Sequence, residues 1–211
     1  MKRYKWTEII SLVAFTIITL IALKDGKITM FYLIYLFWID EFIKTIFDLI
    51  NFYFNRKNIE NPEVYKQLSH SRFFMLFIYL IFILVFFGLM IDWKTEDAVI
   101  TNFSIIFFKN SLFNLCVFSF LLREVFHFIS YKKALNAPAH SIFSKGLITL
   151  HVSLILGVFL WAIINGKMGN NPIEFGSYKT IVAIVPFLLI KLIFELLEIK
   201  NRFAEIKQTY N

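Results

Sequence analysis

The sequence predicts an all-α membrane protein, a polytopic bundle of about six transmembrane helices with the N- and C-termini cytoplasmic. Three observations carry that expectation. Hydrophobic residues make up 58% of the 211 and charged residues 18%, whereas soluble domains run about 45–50% apolar with about a quarter charged. The apolar residues gather into long runs, and a bilayer core about 30 Å thick is crossed by roughly 20 residues of helix. Lys and Arg are dense in every second connection between the runs, which is how topology is set in a membrane protein.

The first run, 7–23, follows Lys2, Arg3 and Lys5 and looks like a secretory signal. It ends in Ala22-Leu23-Lys24-Asp25-Gly26, without a small-x-small cleavage pattern, so it reads as an uncleaved first helix. The second, 29–52, is interrupted by Asp40, Glu41, Lys44 and Asp48, and the third, 73–91, holds no charge. The fourth, 102–122, contains Lys109; the fifth, 146–164, contains His151; the sixth, 180–199, contains Lys191 and Glu195. Residues 1–211 read as one transmembrane domain without soluble domain, repeat or low-complexity segment. The longest loop, 123–145, is basic, and its first part, 123–131, can prolong the fourth helix.

Orientation follows from the loops. Lys2, Arg3, Lys5, Arg56, Lys57, Lys66, Arg72, Arg123, Lys132, Lys133, Lys145, Lys200, Arg202 and Lys207 fall on one side, fourteen in all. Lys24, Lys27, Lys94, Lys167 and Lys179, five in all, fall on the other. The net charge of +7 is therefore topological. It points to a lipid bilayer as the partner, not to nucleic acid. Usage rich in Phe, Ile, Lys and Asn fits a prokaryote, so the expected location is its cytoplasmic (inner) membrane, multi-pass. Cys116 is the single cysteine and excludes a disulfide framework or a CxxC metal site.

Ionisable residues at membrane depth are costly and usually face a bundle interior or a cavity. At 1.5 Å per residue, Asp40 and Glu41 fall near mid-membrane, Lys44 a turn deeper and Asp48 near the inner face. Lys191 is level with Asp40 and Glu41, and Glu195 is level with Lys44. His151 falls in the inner third, near the depth of Glu195. Glu41, Lys44 and Asp48 share one face of the second helix, at i, i+3 and i+7. Lys191, Glu195, Glu198 and Arg202 form a similar stripe on the sixth. The two stripes are expected to face each other or to line one polar pocket. The plainer reading is a set of interhelical ion pairs that fixes register; the functional one is a pocket for an ion, a proton or a small polar ligand.

Glu41, Glu195 and His151 offer metal donors at compatible depths. No HExxH pattern and no second intramembrane His accompanies them, so no metal and no cofactor is expected. No nucleophile or phosphate-binding signature occurs, and whether the chain is an enzyme is left open by its sequence. Asn110 and Asn114 suggest a hydrogen bond between helices, and Thr149, Ser153 and Gly157 suggest close packing. Trp38 and Trp161 read as packing residues. Asn102-Phe103-Ser104 matches a glycosylation sequon.

The stretch with Leu150, His151 and Gly157, the Lys191, Glu195 and Leu196 pattern before a charged tail, and Phe37-Trp38-Ile39-Asp40-Glu41 share short motifs with a known group. Together they resemble an uncharacterised prokaryotic family of six-span membrane proteins, a domain-of-unknown-function family. The family pattern has further histidines in its third and fourth helices, where this chain has Phe, Leu and Cys116. The resemblance implies an architecture and candidate positions, not an activity. The expected function is binding or transport of an ion or small polar solute at an intramembrane Asp/Glu/Lys/His site. Glu41 and Asp40 would take the ion or proton, Lys44 and Lys191 would be counter-charges, and His151 a relay. The alternative is a non-catalytic membrane subunit or scaffold, in a homo-oligomer or beside a membrane partner.

Overall fold

The computed structural model describes residues 2–26, 28–59, 61–90, 96–131, 140, 144–164 and 179–209, and among them every regular element is helical. Helix α1 spans Lys2–Lys24. It ends where Gly26 turns into the left-handed region (φ 65°) and its amide reaches the Leu23 carbonyl at 3.2 Å. Only glycine takes that conformation without steric cost. Helix α2 spans Met30–Asn55 and is started by Thr29, whose hydroxyl accepts from the Tyr32 amide at 3.0 Å.

Helix α3 spans Pro62–Phe82, with Pro62 in the first turn where a missing N–H costs nothing. It continues as π-helical turns over Ile83–Met90. The widened turns shift carbonyls out of register, and the Asn102 amide meets two of them, Phe87 at 3.5 Å and Gly88 at 3.3 Å. Asn102 also bonds the Thr29 hydroxyl and is fully buried, so the sequon is not presented on a surface.

The predicted fourth span is broken. Helix α4 covers Glu96–Ile106 and α5 covers Ser111–Tyr131. Between them Phe108 takes a left-handed conformation (φ 56°), which costs an L-residue about 1–2 kcal/mol. The turn is held by Phe108 N–H to Ile105 O at 3.0 Å and Lys109 N–H to Ser104 O at 2.7 Å, the pattern that closes many helix C-termini. Asn110 and Asn114 serve this turn and do not bridge helices. Asn110 caps the Phe113 amide at 3.0 Å, and Asn114 donates to the Phe108 carbonyl at 2.6 Å. Lys109 thus sits in an exposed turn between the two helices. Helix α6 covers Lys145–Ile164, and α7 covers Lys179–Thr209 with Pro186 inside it. The loop 132–139 and the side chain of Arg202 lie outside the described residues.

Helix α2 is the axis. Phe31 through Glu41 are buried without interruption, and α3, α5, α6 and α7 all pack against it, while α1 lies on α5 and α7. The Trp38 indole donates to the Leu76 carbonyl at 2.7 Å and fixes α2 to α3. Thr149, Ser153 and Gly157 lie on the buried face of α6. A Cβ on Gly157 would stand 2.6 Å from the Phe87 ring and 3.1 Å from Ile34.

Four helical segments, Trp6–Lys24, Pro62–Met90, Asp97–Ile129 and Lys145–Ile163, are long and apolar enough to cross a membrane. Only 22–39% of the residues in their apolar windows are buried, so most of that apolar surface faces outward. Phe74, Phe107 and Ile155 are more than 60% exposed, whereas Asp40, Lys44 and Arg72 are almost entirely buried. Greasy outside and charged inside is the distribution of a chain whose solvent is lipid. Helix α2 falls outside that set because it carries charges that fill the interior.

Gly157→Leu should overpack the junction of α6 with α2 and α3. A loss of about 1–3 kcal/mol is expected in reversible unfolding in detergent, and an unchanged midpoint would contradict the packing described.

A buried charge cluster at the centre of the bundle

Asp40 and Glu41 are adjacent on α2, about 100° apart around its axis, so they face different neighbours. Asp40 turns to α5 and α7. Its Oδ1 accepts from Arg123 Nη2 at 2.5 Å and its Oδ2 from Lys191 Nζ at 2.5 Å, with Lys44 Nζ 3.5 Å away. Glu41 turns to α3 and α6. Its Oε1 accepts from Lys44 Nζ at 2.8 Å, and its Oε2 accepts from Arg72 Nη2 and from Ser144 Oγ at 3.4 Å. The first turn of α6 comes so close that a Cβ on Gly146 would collide with this carboxylate. Glycine there lets the partly positive N-terminus of α6 approach an anion.

Glu195 on α7 closes the ring. It lies 2.9 Å from Lys191, 3.4 Å from Arg123 and 3.8 Å from Lys44. Arg123 also donates through Nε to Glu124 at 2.9 Å, and Arg72 through Nε to Thr45 Oγ1 at 2.8 Å. The Thr45 hydroxyl in turn donates a hydrogen bond to the Glu41 backbone carbonyl at 2.8 Å. The joined set therefore holds four cations, Lys44, Arg72, Arg123 and Lys191, and four anions, Asp40, Glu41, Glu124 and Glu195. No side chain among them is more than 7% exposed. Aromatic faces complete the wall: Lys191 Nζ is 5.6 Å from the Phe37 ring centre, and Arg123 is 5.5 Å from that of Phe120.

A lateral arm runs from Glu124. His127 lies 3.6 Å from Glu124, 3.7 Å from Glu8 on α1 and 3.5 Å from the Thr7 hydroxyl. Below the cluster, Asp48 accepts from the His140 backbone amide at 3.2 Å and pairs with its ring at 2.8 Å. These contacts tie α5 to α1 and the segment before α6 to α2.

Five of the residues singled out in the sequence, Asp40, Glu41, Lys44, Lys191 and Glu195, meet in one cluster, and across it Lys44 of α2 stands 3.8 Å from Glu195 of α7. Asp48 belongs to the same helix but pairs apart from them. His151 is a correction. It is exposed on the far side of α6 and bonds the Tyr79 hydroxyl through Nδ1 at 2.9 Å. Depth alone brought it level with Glu195, but the buried face of α6 runs through Gly146, Leu147, Leu150, Ser153 and Gly157, and the helical turn rotates His151 off it. Glu41, Glu195 and His151 therefore do not converge as metal donors, and no group of three such residues does among the described residues.

Arg72, Arg123 and Glu124 escaped the sequence reading because the first two stand where loop charges are expected. The signal was present in the phase of their helices. Arg72 continues the buried line Tyr65, Ser69, Leu76 on α3, and Arg123 and His127 continue Phe113, Cys116, Phe120 on α5. With both arginines taken from the loop count, twelve basic residues still oppose five. No protein-family model matches the chain, and no curated protein and no solved structure matches it.

Removing one partner from such a cluster strands a buried charge, at a cost of about 3–5 kcal/mol. Asp40→Asn and Lys191→Met should each destabilise on that scale. Their double variant should fall short of the sum by about 1–3 kcal/mol in a thermodynamic cycle. Additive effects would show that the two groups do not interact.

Proposed function

We propose that the chain is a six-span protein of the prokaryotic cytoplasmic membrane, with both termini in the cytoplasm, that binds or moves an ion or small polar solute through the charge cluster. The observation that carries this reading is the sharing of partners. Asp40 is held by three cations, Glu195 by three and Glu41 by two, on four different helices. A register lock needs one partner for each charge. A shared set can hand a carboxylate from one cation to another without ever leaving it bare, which is what admitting and releasing an ion inside a low-dielectric bundle requires. Asp40 and Glu41 are the ion- or proton-accepting groups, and Lys44, Lys191, Arg72 and Arg123 are the counter-charges that close over them. The orientation rests on the excess of basic residues at one end of the helices.

A second reading, a non-catalytic membrane subunit, is favoured by one fact. Every charge of the cluster is already paired with another, so the set is complete as a device for helix specificity.

Ion flux into proteoliposomes separates the two. The native chain should move protons or a cation down an imposed gradient, and Glu41→Gln should reduce the rate at least tenfold while the protein stays folded. Equal leakage from native, variant and empty vesicles across several ions and both gradient directions would reject transport in favour of the subunit.

A further inference from the structure

The lipid-facing side of α3 and α6 carries a polar pair with no place in the cluster. Tyr79 Oη and His151 Nδ1 are 2.9 Å apart, and His151 is exposed. His151 lies six residues into α6, roughly 9 Å from its start at 1.5 Å per residue, which is inside the hydrocarbon layer of a spanning helix. Its bond to Tyr79 is its only hydrogen bond among the described residues. The pair cannot satisfy itself. If Tyr79 donates to Nδ1, the imidazole keeps an unspent Nε2–H. If Nδ1–H donates to Tyr79, the phenol keeps its own O–H. Either tautomer leaves one donor facing lipid tails, where nothing in the acyl chains can accept from it.

On the helix that carries Tyr79, residues Ile78, Ile81, Phe82, Val85, Phe86 and Met90 line an open apolar groove of about 400 Å³, and Tyr79 stands one turn from Phe82. Phe86 packs against Trp161 of α6, with ring centres 6.1 Å apart. The upper half of the groove is π-helical, a conformation concentrated at functional sites.

We propose that this face binds a lipid-soluble quinone, its carbonyl accepting from the Tyr79–His151 pair and its tail lying along the groove. The chemistry selects the ligand. A spare donor calls for an acceptor, the groove calls for an apolar tail, and the depth calls for a head that resides among the acyl chains. Phospholipid carbonyls stay at the interface, whereas a quinone head enters the hydrocarbon. The site is separate from the charge cluster and stands whether or not the cluster moves ions.

The test is equilibrium binding of a tritiated decyl-benzoquinone to the full chain in nanodiscs. Binding should saturate at one per chain, be displaced by unlabelled quinone and not by decanol, and weaken at least tenfold in His151→Leu, in Tyr79→Phe and in Ile81→Trp. His151 and Ile81 face outward and Tyr79→Phe keeps the ring that packs on the core, so helicity and thermal midpoint should match the native protein. Uptake no greater than that of empty nanodiscs would overturn the proposal, as would binding indifferent to the three substitutions. Cross-linking of His151→Cys between two copies in the bilayer would also overturn it, because it would place a second copy on this face.

Discussion

Asp40 is the residue on which the rest of the arrangement turns. It sits at the middle of the most buried helix with no exposure, and a carboxylate there is tolerated only if its charge is met on every side. Arg123 from α5 and Lys191 from α7 meet both of its oxygens, and Lys44 from its own helix supports them. Each of those cations has its own demand, which Glu124, Glu195 and Glu41 answer in turn. The positions of α3, α5, α6 and α7 around α2 thus follow from one electrostatic requirement carried outward. Apolar packing alone gives little choice of partner in lipid, since the tails are as apolar as the side chains.

Close approach is the second constraint. Glycine appears where two helices must nearly touch: Gly157 against Phe87 and Ile34, and Gly146 against the Glu41 carboxylate. The first lets α6 lie on α2 and on the π-helical part of α3. The second brings the amide end of α6 onto an anion. Polar side chains then finish what the helices leave open, Asn102 on the carbonyls of the π-helical turns and Asn114 on the strained turn at Phe108.

Much of this was legible in the sequence, and the failures have physical causes. Charge inside a greasy run is a strong signal, so α2 and α7 identified themselves through Asp40, Glu41, Lys44, Lys191 and Glu195. Counting 1.5 Å per residue paired Lys191 with Asp40 and Glu195 with Lys44, and those pairs lie within 4 Å of each other. Depth does not give azimuth, and His151 shows it: expected near the level of Glu195, it faces away from the cluster, to Tyr79. Arg72 and Arg123 read as loop charges because they border apolar runs, yet their helices extend past those runs, to Pro62 and Tyr131. The break at Phe108 was hidden because phenylalanine stands where glycine usually marks a left-handed turn. Short motifs suggested a family architecture but no chemistry, and the functional proposal stands on the geometry of the charges.

Among the described residues Asp40 is the aspartate paired with lysine, which makes the contact accessible to solid-state NMR. Protein labelled with ¹³C-carboxyl aspartate and ¹⁵N-lysine, reconstituted in bilayers, should show a strong carbon–nitrogen dipolar coupling that falls sharply in Lys191→Met. Absence of that coupling in the native protein, or its full survival in the variant, would mean that Asp40 and Lys191 do not meet in the membrane and that the bundle is organised by something other than its buried charges.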